Sequence, residues 1–206
     1  MLEEGCPWDG STCAAAAEAG HFGLLRWVRE RGCCWDSRTS AAASGYGNLH
    51  ILQWIAQEGC PFDEAACANA ARNGRMDVLM WLRTQGYKWN EEIPAQAAQG
   101  GHLDILKWAR LEGGCPWDKR TCSWAAHGGH LDILIWAREN GCPWTESTVV
   151  NAVRCGHSHV VEWAVRNGCP FSPGMELSSY LQSIWAGTVF IEEEHEGEED
   201  EVCCFP

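Results

Sequence analysis

Thirteen cysteines and eight histidines in 206 residues are the side chains best suited to chemistry. Six of the cysteines, Cys6, Cys33, Cys60, Cys115, Cys142 and Cys169, open a short loop of the Cys-Pro-Trp kind, and Tyr87 holds a seventh such place. Cys13, Cys67 and Cys122 follow three of these loops at a distance of seven residues. The densest ligand group is Cys155, His157 and His159 in RCGHSHV, with His127 and His130 of HGGH nearby in sequence. Thiolates and imidazoles point to zinc or to redox exchange, but a zinc site needs three or four donors converging on one point. Equivalent positions in stacked helical units stand about one helix diameter, roughly 10 Å, apart. That exceeds the separation of about 5.5 Å between the Cα atoms of a disulfide. A small hydrophobe copied because its unit is copied accounts for the loop cysteines. His130 and His157 share a turn position with His21 and His102, which a repeat also explains.

Catalysis has less support. There is no GxSxG, HExxH, P-loop or dinucleotide fingerprint, and Asp104 and Asp132 recur on what reads as a solvated helix face. Cys203 stands in CCFP, whose terminal proline is not a prenylation signal. No enzymatic activity, cofactor or metal is expected. A metal- or redox-responsive protein using the Cys and His set is the alternative reading.

The elements that position these residues follow from an internal repeat. The aromatic closing each loop recurs as Trp8, Trp35, Phe62, Trp89, Trp117, Trp144 and Phe171, and a second column runs Trp27, Trp54, Trp81, Trp108, Trp136 and Trp163. The spacing is 27 residues, with one extra residue near Gly113. A fixed period of this size signals a solenoid. A short polar residue follows each loop aromatic, Asp9, Asp36, Asp63, Asn90, Asp118, Thr145 and Ser172, and can accept from the free amides of a helix's first turn. The first helix is rich in alanine, with Ala16, Ala43, Ala70, Ala97, Ala125 and Ala152 at one position, and Pro94 falls in a first turn, where proline is tolerated. Glycine ends it, and a second helix follows with one broad apolar face, as in Leu103, Ile105, Leu106, Trp108 and Ala109; Asp104, Lys107 and Arg110 are expected to point away. Helices this short are marginal alone. A buried Trp removes about 150–250 Å² from water, on the order of 4–6 kcal/mol before ordering entropy, so with thirteen tryptophans, many in two ladders, the interfaces between units are expected to dominate stability.

The segments AARNGRMDVLMWLRTQG from Ala70, AAQGGHLDILKWARLEG from Ala97 and AAHGGHLDILIWARENG from Ala125 carry a resemblance. Their pattern resembles the helix-turn-helix half of the ankyrin repeat over about six units, from Gly5 to Phe171. The units are about six residues shorter than the usual 33 and lack the Thr-Pro-Leu-His opening, which resembles loss of the β-hairpin finger. The GCPW-punctuated form is similar to short arrays of giant viruses of amoebae and of protists. The resemblance implies an all-α solenoid that recognises protein partners on the surface of its first helices and loops.

Boundaries and partners complete the expectation. The array with its C-terminal cap is expected over 1–187, and an acidic, disordered tail over 188–206. Eight of the 28 acids lie in the last fifteen residues, leaving 15 basic and 20 acidic residues before Glu192. That balance offers no phosphate-neutralising patch, so nucleic acid is not an expected partner. The two acids in MLEEGCPW and the lack of an apolar run of membrane-spanning length point to a soluble intracellular protein, cytoplasmic, or in the host cytoplasm if viral. A monomer is expected, with end-to-end self-association through the uncapped first repeat as the other arrangement. Recognition should sit where copies disagree, at outward positions of the first helices: Asn69 and Arg72, Gln96 and Gln99, Arg120, Trp124 and His127, Asn151 and Arg154. Trp124 stands out because its counterparts are Ala, Asn or Gln, and Trp beside Arg is typical of interface hot spots.

Overall fold

The computed structural model describes residues 8–171. The expected C-terminal cap, the acidic tail, Ser172, Cys6 and Cys203 lie outside the described residues. Within them the chain forms twelve helices and no strand. They are α1 (Gly10–Glu18), α2 (Phe22–Glu30), α3 (Ser37–Tyr46), α4 (Leu49–Gln57), α5 (Glu64–Arg72), α6 (Met76–Thr84), α7 (Glu92–Gly100), α8 (Leu103–Leu111), α9 (Lys119–Gly128), α10 (Leu131–Glu139), α11 (Glu146–Arg154) and α12 (Ser158–Arg166). Six antiparallel pairs follow one another, and one 27-residue beat of sequence is one pair.

Most of the helix starts follow the expected chemistry. Asp9, Asp36, Asp63 and Asp118 each accept from the backbone N–H two residues on, at 2.8–3.0 Å. Asn90 does the same for Glu92 at 3.1 Å, although α7 begins one residue later than its counterparts. Thr145 departs from the pattern: its hydroxyl pairs with that of Ser147 at 2.8 Å and caps no amide. A positive-φ glycine follows each helix. At Gly101, φ is +81° and an added Cβ would lie 2.6 Å from the His130 ring, so conformation and packing both demand glycine there.

The first helices stand side by side along the array, whereas each second helix packs mainly on the first helix of its own pair. The alanine column explains the difference. Ala43, Ala70, Ala97, Ala125 and Ala152 are fully buried between neighbours, and larger side chains would hold the backbones apart. The second helices supply the bulk of the core through residues such as Ile51, Leu52, Ile55, Ile105, Leu106, Ile133 and Leu134, each fully buried and contributing about 1.5–3 kcal/mol through burial. Every unit covers its successor. Leu24 in α2 is 47% exposed, while its counterparts Ile51, Val78, Ile105, Ile133 and Val160 are inaccessible.

The tryptophan expectation needs correction. The loop and second-helix tryptophans are half-buried against the core, and Trp27 is 41% exposed. They form a seam along one edge, and the interior consists of Ala, Leu, Ile, Val and Cys. The reason is geometric: a first-helix layer close enough to interlock has no room for indoles.

Candidate interaction surface

The nine residues singled out on the first helices all keep some solvent exposure, against the buried alanines that flank them. Their chemistry is not uniform. Asn69 and Asn151 are half-buried, and each donates its amide across the unit boundary, to the carbonyls of Ala41 and Ser123, at 3.2 Å in both cases. Gln96 donates to the Glu92 carboxylate at 2.7 Å. Arg120 is gripped by three acids: Asp118 at 2.9 Å, Glu92 at 2.7 Å and Glu91 at 3.3 Å. Those four side chains are already committed to holding units together or to local pairs.

Gln99 is half-buried, whereas Arg72, His127 and Arg154 are exposed. Arg72 and Arg154 have no ion pair among the described residues. Trp124 is half-buried, its ring edge-on to His127 with centroids 5.3 Å apart. At its position the other units carry Ala15, Ala42, Asn69, Gln96 and Asn151. A cleft of about 500 Å³ opens on the same helices further towards the N-terminus, where Tyr46, Asn73 and Arg75 join Asn69 and Arg72. Tyr46, 42% exposed, and Asn73 were missed from sequence. The available signal was their column, which reads Ala19, Tyr46, Asn73, Gly100, Gly128 and Cys155.

Behind this surface runs a ladder of turn residues. Nε2 of His102 donates to the Arg72 carbonyl at 3.1 Å, His130 to Gln99 at 3.2 Å and His157 to His127 at 3.0 Å. Arg75 does the same to Gly45 at 3.1 Å. Each bond satisfies a carbonyl near the end of the preceding unit's first helix, where intrahelical partners run out. His159 donates to Gly129 at 3.1 Å, so the RCGHSHV histidines are engaged with backbone. Among the described residues, no group of three or more His, Cys, Asp or Glu is placed to hold a metal ion.

The opposite edge repeats more faithfully. Each loop aromatic from Trp8 to Trp144 meets the second-helix Trp of its own unit, with centroids 4.8–6.1 Å apart. Arg29, Arg83, Arg110 and Arg138 lie over Trp35, Trp89, Trp117 and Trp144 at 4.2–4.9 Å. Arg29 also donates to the Cys33 carbonyl at 3.0 Å and Arg110 to that of Cys115 at 3.3 Å, and Arg138 contacts Cys142 in the same way. Arg110, expected to point away, is folded onto the loop. Where the loop aromatic is Phe62 or Phe171, the arginine position holds Ala56 or Val165. From Trp35 onward the guanidinium and the indole come as a set.

The loop cysteines are buried, and their thiols donate to the carbonyl of the residue that opens the same unit, at 2.9–3.6 Å. Burial pushes Cys60 and Cys115 up to about 12, and Cys169 to about 11. One inference from spacing was incomplete. Cysteines of one column are indeed apart, but the column of Cys13 and Cys122 meets the loop at the far end of its own unit, and Cys13 Sγ lies 3.3 Å from Cys33 Sγ. The helical hairpin brings together residues twenty apart, a separation the column-by-column comparison passed over.

No helix among the described residues is long and apolar enough to cross a membrane. No family model matches the chain, and no curated protein matches it. Among solved structures it is similar to the ankyrin repeat domain of human ASB11, at 14% identity and a TM-score of 0.55, over 78% of this chain and 85% of that one. At that identity the likeness is one of fold: an ankyrin-like helical array.

Proposed function

We propose that the array is a non-enzymatic protein-interaction module or scaffold that binds a protein partner across the outward face of its first helices and adjoining turns. The observation that carries the reading is Trp124. A half-exposed indole beside an exposed histidine stands where every other unit has Ala, Asn or Gln, and such aromatics anchor interfaces. The guanidinium groups of Arg72 and Arg154, which have no ion pair among the described residues, add charge-assisted donors on the same helices. Asn69, Gln96, Gln99, Arg120, His127 and Asn151 form the surrounding polar surface. The short GCPW-punctuated unit and residence in a cytoplasm, the host's if the chain is viral, belong to the same proposal, as does a monomeric state.

The test is capture of a partner by the tagged protein, identified by mass spectrometry and remeasured with purified components. Trp124→Ala, Arg72→Ala and Arg154→Ala should each weaken affinity at least tenfold, about 1.4 kcal/mol, with unchanged far-ultraviolet circular dichroism. Substitution of Asp77 and Glu139 on the second helices should leave it unchanged. The reverse pattern would move the binding surface to the other face.

A further inference from the structure

Four buried cysteines form two matched pairs. Cys13 on α1 and Cys33 after α2 bring their sulfurs to 3.3 Å, and Cys122 on α9 and Cys142 after α10, both buried, hold the same two positions of the fifth unit. Each pair joins the beginning of one helical hairpin to its end. Repetition alone does not produce them, because the remaining units place Ser40 with Cys60, Cys67 with Tyr87, Pro94 with Cys115 and Val149 with Cys169 at these two positions. We propose that Cys13–Cys33 and Cys122–Cys142 are two intra-unit dithiol–disulfide sites, oxidised by a small disulfide of the glutathione type.

The geometry asks for little. A disulfide sets its sulfurs about 2.05 Å apart, so the first pair must close by about 1.2 Å. In the exchange, the thiolate of one cysteine attacks a sulfur of oxidised glutathione, forming a mixed disulfide and releasing one glutathione thiolate, which takes up a proton. The second cysteine, deprotonated in turn, attacks the protein-bound sulfur and expels the second glutathione. Two protein thiols are oxidised to one disulfide, and one glutathione disulfide is reduced to two thiols.

Each pair lies beside an arginine, Arg29 or Arg138, whose charge favours the thiolate. Burial acts the other way, because Cys13 is inaccessible and Cys33 2% exposed, and desolvation pushes the Cys13 thiol up to about 12. Exchange therefore proceeds through opening of the hairpin and is slow compared with reaction at exposed Cys34 and Cys155. Once formed, the bridge closes the hairpin covalently and opposes that same opening.

The experiment uses the full chain, incubated with oxidised glutathione, alkylated in denaturant and digested without reduction. The expected result is one cross-linked peptide joining Cys13 to Cys33 and one joining Cys122 to Cys142, each bridge lowering the mass by two hydrogens, with an unfolding midpoint raised by about 5 °C or more. Cys13→Ser should delete the first bridge and spare the second. Serine is accommodated at that position in the next unit, where buried Ser40 donates to the Pro61 carbonyl, one residue from Cys60, so the variant will fold. Ser40→Cys should add a third bridge, to Cys60. Alkylation of all four buried cysteines while Cys34 and Cys155 carry glutathione would overturn the proposal. A bridge between Cys33 and Cys34 in place of Cys13–Cys33 would also overturn it, as would failure of Ser40→Cys to add a bridge.

Discussion

The two long edges of the array are built by opposite rules. Along the loop edge, indole and guanidinium change together from Trp35 onward, as in Ala56 with Phe62 and Val165 with Phe171, while the thiols of Cys60 and Cys169 are kept in both. Along the first-helix edge the backbone spacing is constant and the outward side chains are not: Ala15, Ala42, Asn69, Gln96, Trp124 and Asn151 share one position. Covariation marks side chains that hold each other, whereas the first-helix position varies among an inter-unit bond at Asn69 and Asn151, a local pair at Gln96 and the partly exposed ring of Trp124. The difference separates a fixed structural set from a variable surface.

The tightness of the first-helix layer can be broken most severely at Gly100. A Cβ there would lie 2.0 Å from the Arg72 carbonyl oxygen, a backbone atom that cannot move aside alone. Gly100→Ala is expected to cost about 3 kcal/mol in urea unfolding, although it adds one methyl to a helix and would otherwise favour it. A cost below that of an exposed Gly→Ala change would show that the layer is looser than described.

The loop edge gives the next effect. Arg138→Ala removes the contact with Trp144 and the hydrogen bond to Cys142, and should cost about 1–2 kcal/mol. Installing the set where it is missing sharpens the comparison: Ala56→Arg and Phe62→Trp should each do little alone, and together show a favourable coupling of about 0.5–1 kcal/mol in a double-mutant cycle. Simple additivity would mean that the shared pattern is not energetic.

The smallest effect is electrostatic. The side-chain hydrogen bond from Arg38 holds the Asp36 carboxyl below its usual 3.8. A depressed folded value means the contribution is present above the unfolded value and lost as pH falls through the folded one. Asp36→Asn should therefore reduce the loss of stability as pH falls below about 4, followed by the unfolding midpoint. An identical acid profile would remove Asp36 from the account.

Much of this fold was legible because periodicity needs no three-dimensional information. The caps at Asp9, Asp36, Asp63 and Asp118 and the glycines after each helix could be read from column positions alone. Thr145 could not, because its hydroxyl had a competing partner two residues on. Burial of the tryptophans was misjudged because a column shows that a residue is shared, not which side of the hairpin it lies on. The Cys13–Cys33 contact links two columns and depends on how the hairpin folds back. At the surface, outward placement of the nine positions followed from helical spacing, whereas the commitment of Asn69, Asn151 and Arg120 to neighbouring units depends on the distance between helices.

The turn ladder has a direction. Arg75, His102, His130 and His157 all reach from a later unit to the one before it, as do the amides of Asn69 and Asn151. Through this ladder each unit brings donors with it and finds acceptors already in place, whereas Arg83 on the loop edge donates forward to the Glu112 carbonyl. A ribosome delivers units in that same order, N-terminal first, so along the ladder every newly emerging hairpin meets acceptors already presented by the unit before it. The array can be assembled as it is translated, one hairpin at a time.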